Sequence, residues 1–120
     1  MFITKEFRFS AAHNITNYHG KCEELHGHTF KLSVTLQGTP GKANMILDFR
    51  IFKDIVQKNI INLLDHKYLN NLLKNPTAEN ICAWIFDKLK PIFNGENYTL
   101  YEVRLWESEA SSVAIREEKK

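Results

Sequence analysis

Two cysteines, Cys22 and Cys82, are all that a chain of 120 residues contains. That excludes the disulfide framework on which many small secreted domains rely. The pair is expected to be reduced, and Cys82, inside an amphipathic helical pattern, reads as a small buried apolar residue. An excess of one charge is missing too. Lysine and arginine number 16 against 14 acidic residues, a formal net charge of +2, too little to argue for a nucleic-acid partner. No apolar run approaches membrane-spanning length, so no membrane partner is expected. Residues Met1 to Glu6 carry a charge every few positions and lack the apolar core of a secretory leader. The expected compartment is therefore the cytoplasm. Repeats, linkers and low-complexity stretches are absent as well, so residues 1–120 are expected to form a single domain.

Histidine is where the chain is unusual. Four of the five histidines fall between His13 and His28, in the stretch H-N-I-T-N-Y-H-G-K-C-E-E-L-H-G-H. His26 and His28 flank Gly27. On extended backbone, side chains two apart point to the same side, so two imidazoles converge on one point. His13 ends another strand-like run and can supply a third. Three neutral imidazoles without a fourth protein ligand make the pattern of a catalytic zinc site, whose open position takes water or substrate. A lone H-x-H pair is weak evidence, since surface histidines are common. Cys22, Asp65-His66 and Glu107 turn the pair into a constellation.

The patterns along the chain place these residues. Phe7, Phe9, Ala11 and His13 alternate with Glu6, Arg8 and Ser10, which predicts a half-buried strand with His13 in line with its apolar face. Residues 14–27 read as a loop. His28, Phe30, Leu32, Val34 and Leu36 share one face of a second strand, and Gly38-Thr39-Pro40-Gly41 signals a turn. Asp48 is a candidate N-cap for a helix whose stripe is Phe52, Ile55, Val56, Ile60, Leu63 and Leu64, ending at Asp65-His66. Thr77 can cap a second helix with Glu79 in its first turn and Ile81, Trp84, Ile85, Leu89 and Ile92 as its stripe. Pro91 and Asn94-Gly95 end that helix. Thr99, Tyr101, Val103, Leu105 and Glu107 are expected on one face of a third strand, and Val113 and Ile115 mark a short fourth. A carboxylate at the end of an apolar stripe calls for a partner. The order strand, strand, helix, helix, strand, strand predicts an α+β fold, a four-stranded antiparallel sheet with helices on one face. Such a sheet has two edges to cover, and pairing between subunits would cover them.

Read together, Phe9-Ser10-Ala11-Ala12-His13, Cys22-Glu23-Glu24-Leu25-His26-Gly27-His28, Leu64-Asp65-His66, Pro76-Thr77-Ala78-Glu79-Asn80 and Glu107 resemble the 6-pyruvoyl-tetrahydropterin synthase family. The Cys-x3-His-Gly-His spacing is similar to its bacterial branch, which includes the 6-carboxy-tetrahydropterin synthase of queuosine biosynthesis. The resemblance implies a T-fold: a four-stranded antiparallel sheet with two helices on one face, joined edge to edge into a barrel, usually a homohexamer of two trimers. It implies zinc on His13, His26 and His28. It also implies Cys22 as proton acceptor, Asp65 and His66 as a proton relay, and Glu107 as the anchor of the pterin. The implied substrate is 7,8-dihydroneopterin triphosphate, with 6-carboxy-5,6,7,8-tetrahydropterin, acetaldehyde and triphosphate as products.

These roles make physical sense. A thiol near a cation titrates low, histidine titrates nearest neutrality, and a carboxylate can accept the two adjacent N–H groups of a pterin edge at once. Plainer readings stand beside them. Asp65 also suits a turn, His66 also suits the negative end of a helix, Cys22 also reads as a loop thiol, and Glu79 also reads as a helix-start carboxylate. His19 lies outside the ligand pattern. Glu23 directly after Cys22 departs from the plain queuosine-pathway pattern. It resembles folate-pathway variants that form 6-hydroxymethyl-dihydropterin, or it is a solvated loop residue. Trp106 stands where bacterial relatives often carry lysine, which leaves the triphosphate contacts unassigned. A non-catalytic pterin-binding T-fold module with structural zinc is the competing reading from another class.

Overall fold

The computed structural model describes residues 1–15 and 25–117. Cys22, Glu23 and His19 lie outside the described residues. Five strands form one sheet. They are β1 (Phe2–His13), β2 (His26–Gly38), β3 (Lys67–Tyr68), β4 (Tyr98–Ser108) and β5 (Ser111–Arg116), in the order β3-β1-β2-β4-β5. Neighbours pair antiparallel except β3, which runs parallel to β1. The expected four-stranded antiparallel sheet is therefore corrected to a five-stranded mixed one. The strand that was missed is two residues long, too short to carry an alternation.

The helical layer begins with α1 (Phe49–Val56), runs through a π-helical turn (Gln57–Ile61) into α2 (Asn62–Leu64), and is completed by α3 (Ala78–Leu89). Both expected caps are made. Asp48 accepts from the Arg50 amide and Thr77 from the Asn80 amide, each satisfying a donor that the first turn leaves free. Phe7, Phe9, Phe30, Leu32, Val34, Leu36, Val103 and Leu105 from the sheet bury against Phe52, Val56, Ile60, Ile81, Ile85 and Leu89 from the helices.

Three expected stripes shift, each for a local reason. The π turn adds a residue to the helix, so Ile60 and Ile61 are both buried while Leu63 turns outward. The second helix stops at Leu89, which leaves Ile92 exposed and buries Phe93 instead. In β4 the pairing slips between Thr35↔Glu102 and Leu36↔Leu100. Tyr101 is the extra residue of that bulge, so Leu100, not Thr99 or Tyr101, carries the buried face past it. At the far end of β2, a Cβ on Gly38 would sit 2.1 Å from the Asn97 carbonyl, so this turn admits glycine alone. No helix among the described residues is long and apolar enough to cross a membrane.

Candidate metal centre

Three strand ends meet where the buried stripes run out. His13 closes β1, His26 opens β2 directly opposite it, and His28 lies opposite Ala11. The H-x-H pair sits inside the strand, so its extended backbone aims both imidazoles to one side. The ring centroids are 4.6 Å apart for His13–His26, 4.6 Å for His26–His28 and 5.1 Å for His13–His28. Glu107 reaches the same point from β4. Its pairing skips from Trp106↔Ser112 to Ser108↔Ser111, so Glu107 is the extra residue of a second bulge, a device that re-aims a side chain at a strand's end. One ligand atom from each of His13, His26, His28 and Glu107 lies within 4.8 Å of the others, a group that could hold a metal ion.

The chemistry of these atoms fits a cation. His13 is fully buried, and its Nδ1 lies 2.7 Å from the Pro76 carbonyl oxygen. Since a carbonyl only accepts, Nδ1 donates and Nε2 keeps its lone pair. That Nε2 is buried with no hydrogen-bond partner, and so is Nε2 of His28. Burying an acceptor unpaired is costly. Glu107 Oε1 stands 3.2 Å from His28 Nε2 and 3.9 Å from His13 Nε2, so carboxylate oxygen and imidazole nitrogens face a common centre. Burial holds the His28 imidazole below its ordinary range, Glu107 opposes this, and His26 and His13 add to it. The neutral imidazole is the ligand form. Phe30 packs its ring 5.6 Å from both His13 and His28, which keeps the inner side of the group apolar.

Asp65 and His66 stand apart from that group, just beyond α2. Asp65 Oδ1 accepts from the Ser10 amide at 2.9 Å, and the His66 amide donates to the Ser10 carbonyl. The Ser10 hydrogen bond holds the Asp65 carboxyl below its usual value, burial opposes it, and the nearby His66 adds to the lowering. Its Oδ2 lies 3.1 Å from His66 Nδ1, and the His66 side chain is 82% exposed. His66 adopts φ 59°, a left-handed conformation that non-glycine residues seldom take. A depression of ≈ 560 Å³ has Ser10, Ala12, Gly27 and His28 on one side and His66, Lys67 and Tyr68 on the other, a size suited to a small molecule. It connects His28 with His66. Trp106 takes no part in the metal group, and its ring lies under the Lys31 ammonium at 4.6 Å.

The structure thus brings together His13, His26, His28 and Glu107, and sets His66 across a depression from His28. Sequence reasoning missed Pro76 and Ser10, which act through main-chain atoms that no residue type advertises.

Comparison with known proteins bears on the fold and the family. The family model described as 6-pyruvoyl tetrahydropterin synthase matches residues 2–118. A 6-carboxy-5,6,7,8-tetrahydropterin synthase of Synechocystis sp. is 43% identical, over 73% of this chain and 74% of its own. A dihydroneopterin monophosphate aldolase of Pyrococcus furiosus is 36% identical, over 89% of this chain and 90% of its own. The structure of Caenorhabditis elegans 6-pyruvoyl tetrahydropterin synthase superposes with a TM-score of 0.86 at 23% identity, covering 98% of this chain and 96% of that one.

Proposed function

Because the chain belongs to the 6-pyruvoyl tetrahydropterin synthase family, we propose that it is a zinc-dependent lyase converting 7,8-dihydroneopterin triphosphate to 6-carboxy-5,6,7,8-tetrahydropterin, acetaldehyde and triphosphate. The observation that carries this reading is the convergence on one point of Nε2 of His13 and Nε2 of His28, buried and without hydrogen bonds, with His26 and the Glu107 carboxylate beside them. His13, His26 and His28 would hold the zinc, which when bound supplies Lewis acidity toward the substrate's side-chain hydroxyls. Glu107, which its bulge sets beside the three histidines, would accept the paired N–H groups of the pterin edge. Asp65 holds Nδ1 of His66, which leaves Nε2 to take up and release a proton at the depression. Cys22, outside the described residues, serves as proton acceptor. The open length of β1 beyond the short β3, together with β5 at the opposite edge, supports edge-to-edge assembly into a hexamer with sites between subunits.

A second reading has its own support. The aldolase relative and the Glu23 that follows Cys22 favour cleavage of a dihydroneopterin to 6-hydroxymethyl-dihydropterin. One experiment separates the two. Zinc-loaded protein is incubated with 7,8-dihydroneopterin triphosphate, and products are identified by mass for the parent, Cys22→Ala and Glu23→Ala. The main reading expects 6-carboxy-tetrahydropterin from the parent and a loss of roughly two to four orders of magnitude in Cys22→Ala. Hydroxymethyl product that survives Cys22→Ala and vanishes in Glu23→Ala establishes the second. A parent that turns over neither way sinks both.

A further inference from the structure

The parallel pairing of β1 with β3 joins Ala11 to Lys67 and Ala12 to Tyr68. At the same offset the next rungs would join residue 13 to 69 and residue 14 to 70. The main chain cannot supply them, because Leu69–Asn71 coils into a 3-10 turn. The side chain of Asn70 makes the missing rung instead. Its Oδ1 accepts from the Asn14 amide at 3.0 Å, and its Nδ2 donates to the Asn14 carbonyl at 2.9 Å. A carboxamide carries the donor and acceptor of a peptide group, so it can stand in for one. The Tyr68 hydroxyl adds a 2.7 Å hydrogen bond to Asn14 Oδ1.

Asn14 is the residue after His13, where β1 ends. Strand pairing to His26 fixes the main chain of His13 on the β2 side, and the Pro76 carbonyl fixes the ring at Nδ1. The peptide on the C-terminal side of His13 lies past the last strand pair. The Asn70 clamp holds it there.

We propose that Asn70 is a positioning residue for the metal group, its amide holding both the N–H and the C=O of Asn14, the residue that follows His13, and so setting where Nε2 of His13 points. This rests on the reading of His13, His26 and His28 as ligands. Groups that orient a metal ligand typically contribute about 10–100-fold in affinity or activity. Removing both rungs with Asn70→Ala should therefore raise the zinc Kd at least about ten-fold.

The test is chelator competition for zinc, with the absorption spectrum of the cobalt-substituted protein as a second readout of ligand geometry. Asn70→Ala should weaken zinc and alter the cobalt bands. Asn70→Asp, which keeps the acceptor and loses the donor, should fall between Asn70→Ala and the parent. Asn14→Ala loses only the Tyr68 contact and keeps both main-chain rungs, so it should match the parent. A lowered Tm in Asn70→Ala with the parent's zinc Kd and cobalt spectrum means a merely structural role and overturns the proposal. If Asn70→Ala fails to fold, a parental Kd in Asn70→Asp overturns it in the same way. A parent that binds no zinc overturns the ligand reading and this proposal with it. A parent that binds zinc alongside an indifferent Asn70→Ala overturns this proposal alone.

Discussion

Metal removal should cost this fold stability, by an amount a buried nitrogen sets. Nε2 of His13 is fully buried and makes no hydrogen bond, whereas Nε2 of His28 has the Glu107 carboxylate at 3.2 Å. One such unsatisfied atom costs roughly 1–3 kcal/mol relative to its hydrated state in the unfolded chain. Coordination removes that cost, so zinc should stabilise the fold by at least about 1–3 kcal/mol. A chain of 120 residues has an unfolding entropy of about 0.25 kcal/mol per degree, from about 2.1 cal/mol/K per residue. The expected rise in Tm on adding zinc is therefore at least roughly 4–12 °C. Scanning calorimetry on zinc-loaded and chelator-treated protein, at one protein concentration, measures it. His26→Ala removes one ligand from a half-buried position, leaves the Phe9 and Phe30 layer intact, and should abolish the response. Equal Tm with and without zinc in the parent would refute the assignment, as would an undiminished zinc response in His26→Ala.

Three further outcomes follow from other parts of the molecule. Sedimentation at micromolar concentration should show a closed oligomer, because the edges at β1 and β5 are open to pairing, with the hexamer of the proposed function as the expected size; a monomer would count against barrel assembly. The Ser10 amide lowers the Asp65 carboxyl below its ordinary value of 3.8, so its contribution to stability is present above that value and is lost as pH falls through the folded-state value. Asp65→Ala should then melt below the parent at pH 7, with the gap closing in acid below the ordinary value, and a gap that does not change with pH contradicts the account. Burial pushes the Cys82 thiol up to about 11, so iodoacetamide at pH 8 should leave Cys82 unlabelled in native protein and label it once guanidinium unfolds the chain.

Much of the candidate metal group was legible because it extends the apolar pattern of its strands. Phe7, Phe9, Ala11 and His13 keep one parity, so the buried position of His13 follows from alternation alone. The same holds for His28 and Phe30 on β2. What was not legible falls into two kinds. Bulges at Tyr101 and Glu107 and the π turn at Gln57–Ile61 each insert one residue into a regular period, and a period read from sequence has no mark for an insertion. Main-chain partners form the second kind. The Pro76 carbonyl that orients His13, and the Ser10 amide and carbonyl that hold Asp65 and His66, depend on where the chain passes. Pro76-Thr77 reads as a helix start in sequence, and Thr77 does cap α3. Its second effect, the presentation of a carbonyl to an imidazole 63 residues away, needs the fold.

The placement of the group also ties its chemistry to strand register. Side chains on a strand alternate strictly, so a slip of one residue between β1 and β2 would carry every core residue of one strand to the wet face. His13 would move with Phe7 and Phe9, because all three lie on one stripe. The core therefore guards the ligand set. Phe9 stacks on Phe30 at 5.0 Å directly below the imidazoles, and Phe30 touches both His13 and His28. The register that sets Phe9 opposite Phe30 is the one that sets His13 opposite His26. The same apolar floor lines the inner side of the group, and burial there holds the His28 imidazole below its ordinary range, so burial and register share one cause. Glu107 escapes the rule through its bulge, which frees its direction from the parity of β4. On the proposed function, the carboxylate that meets the substrate sits at such a joint, and the imidazoles that hold the zinc sit at regular strand ends.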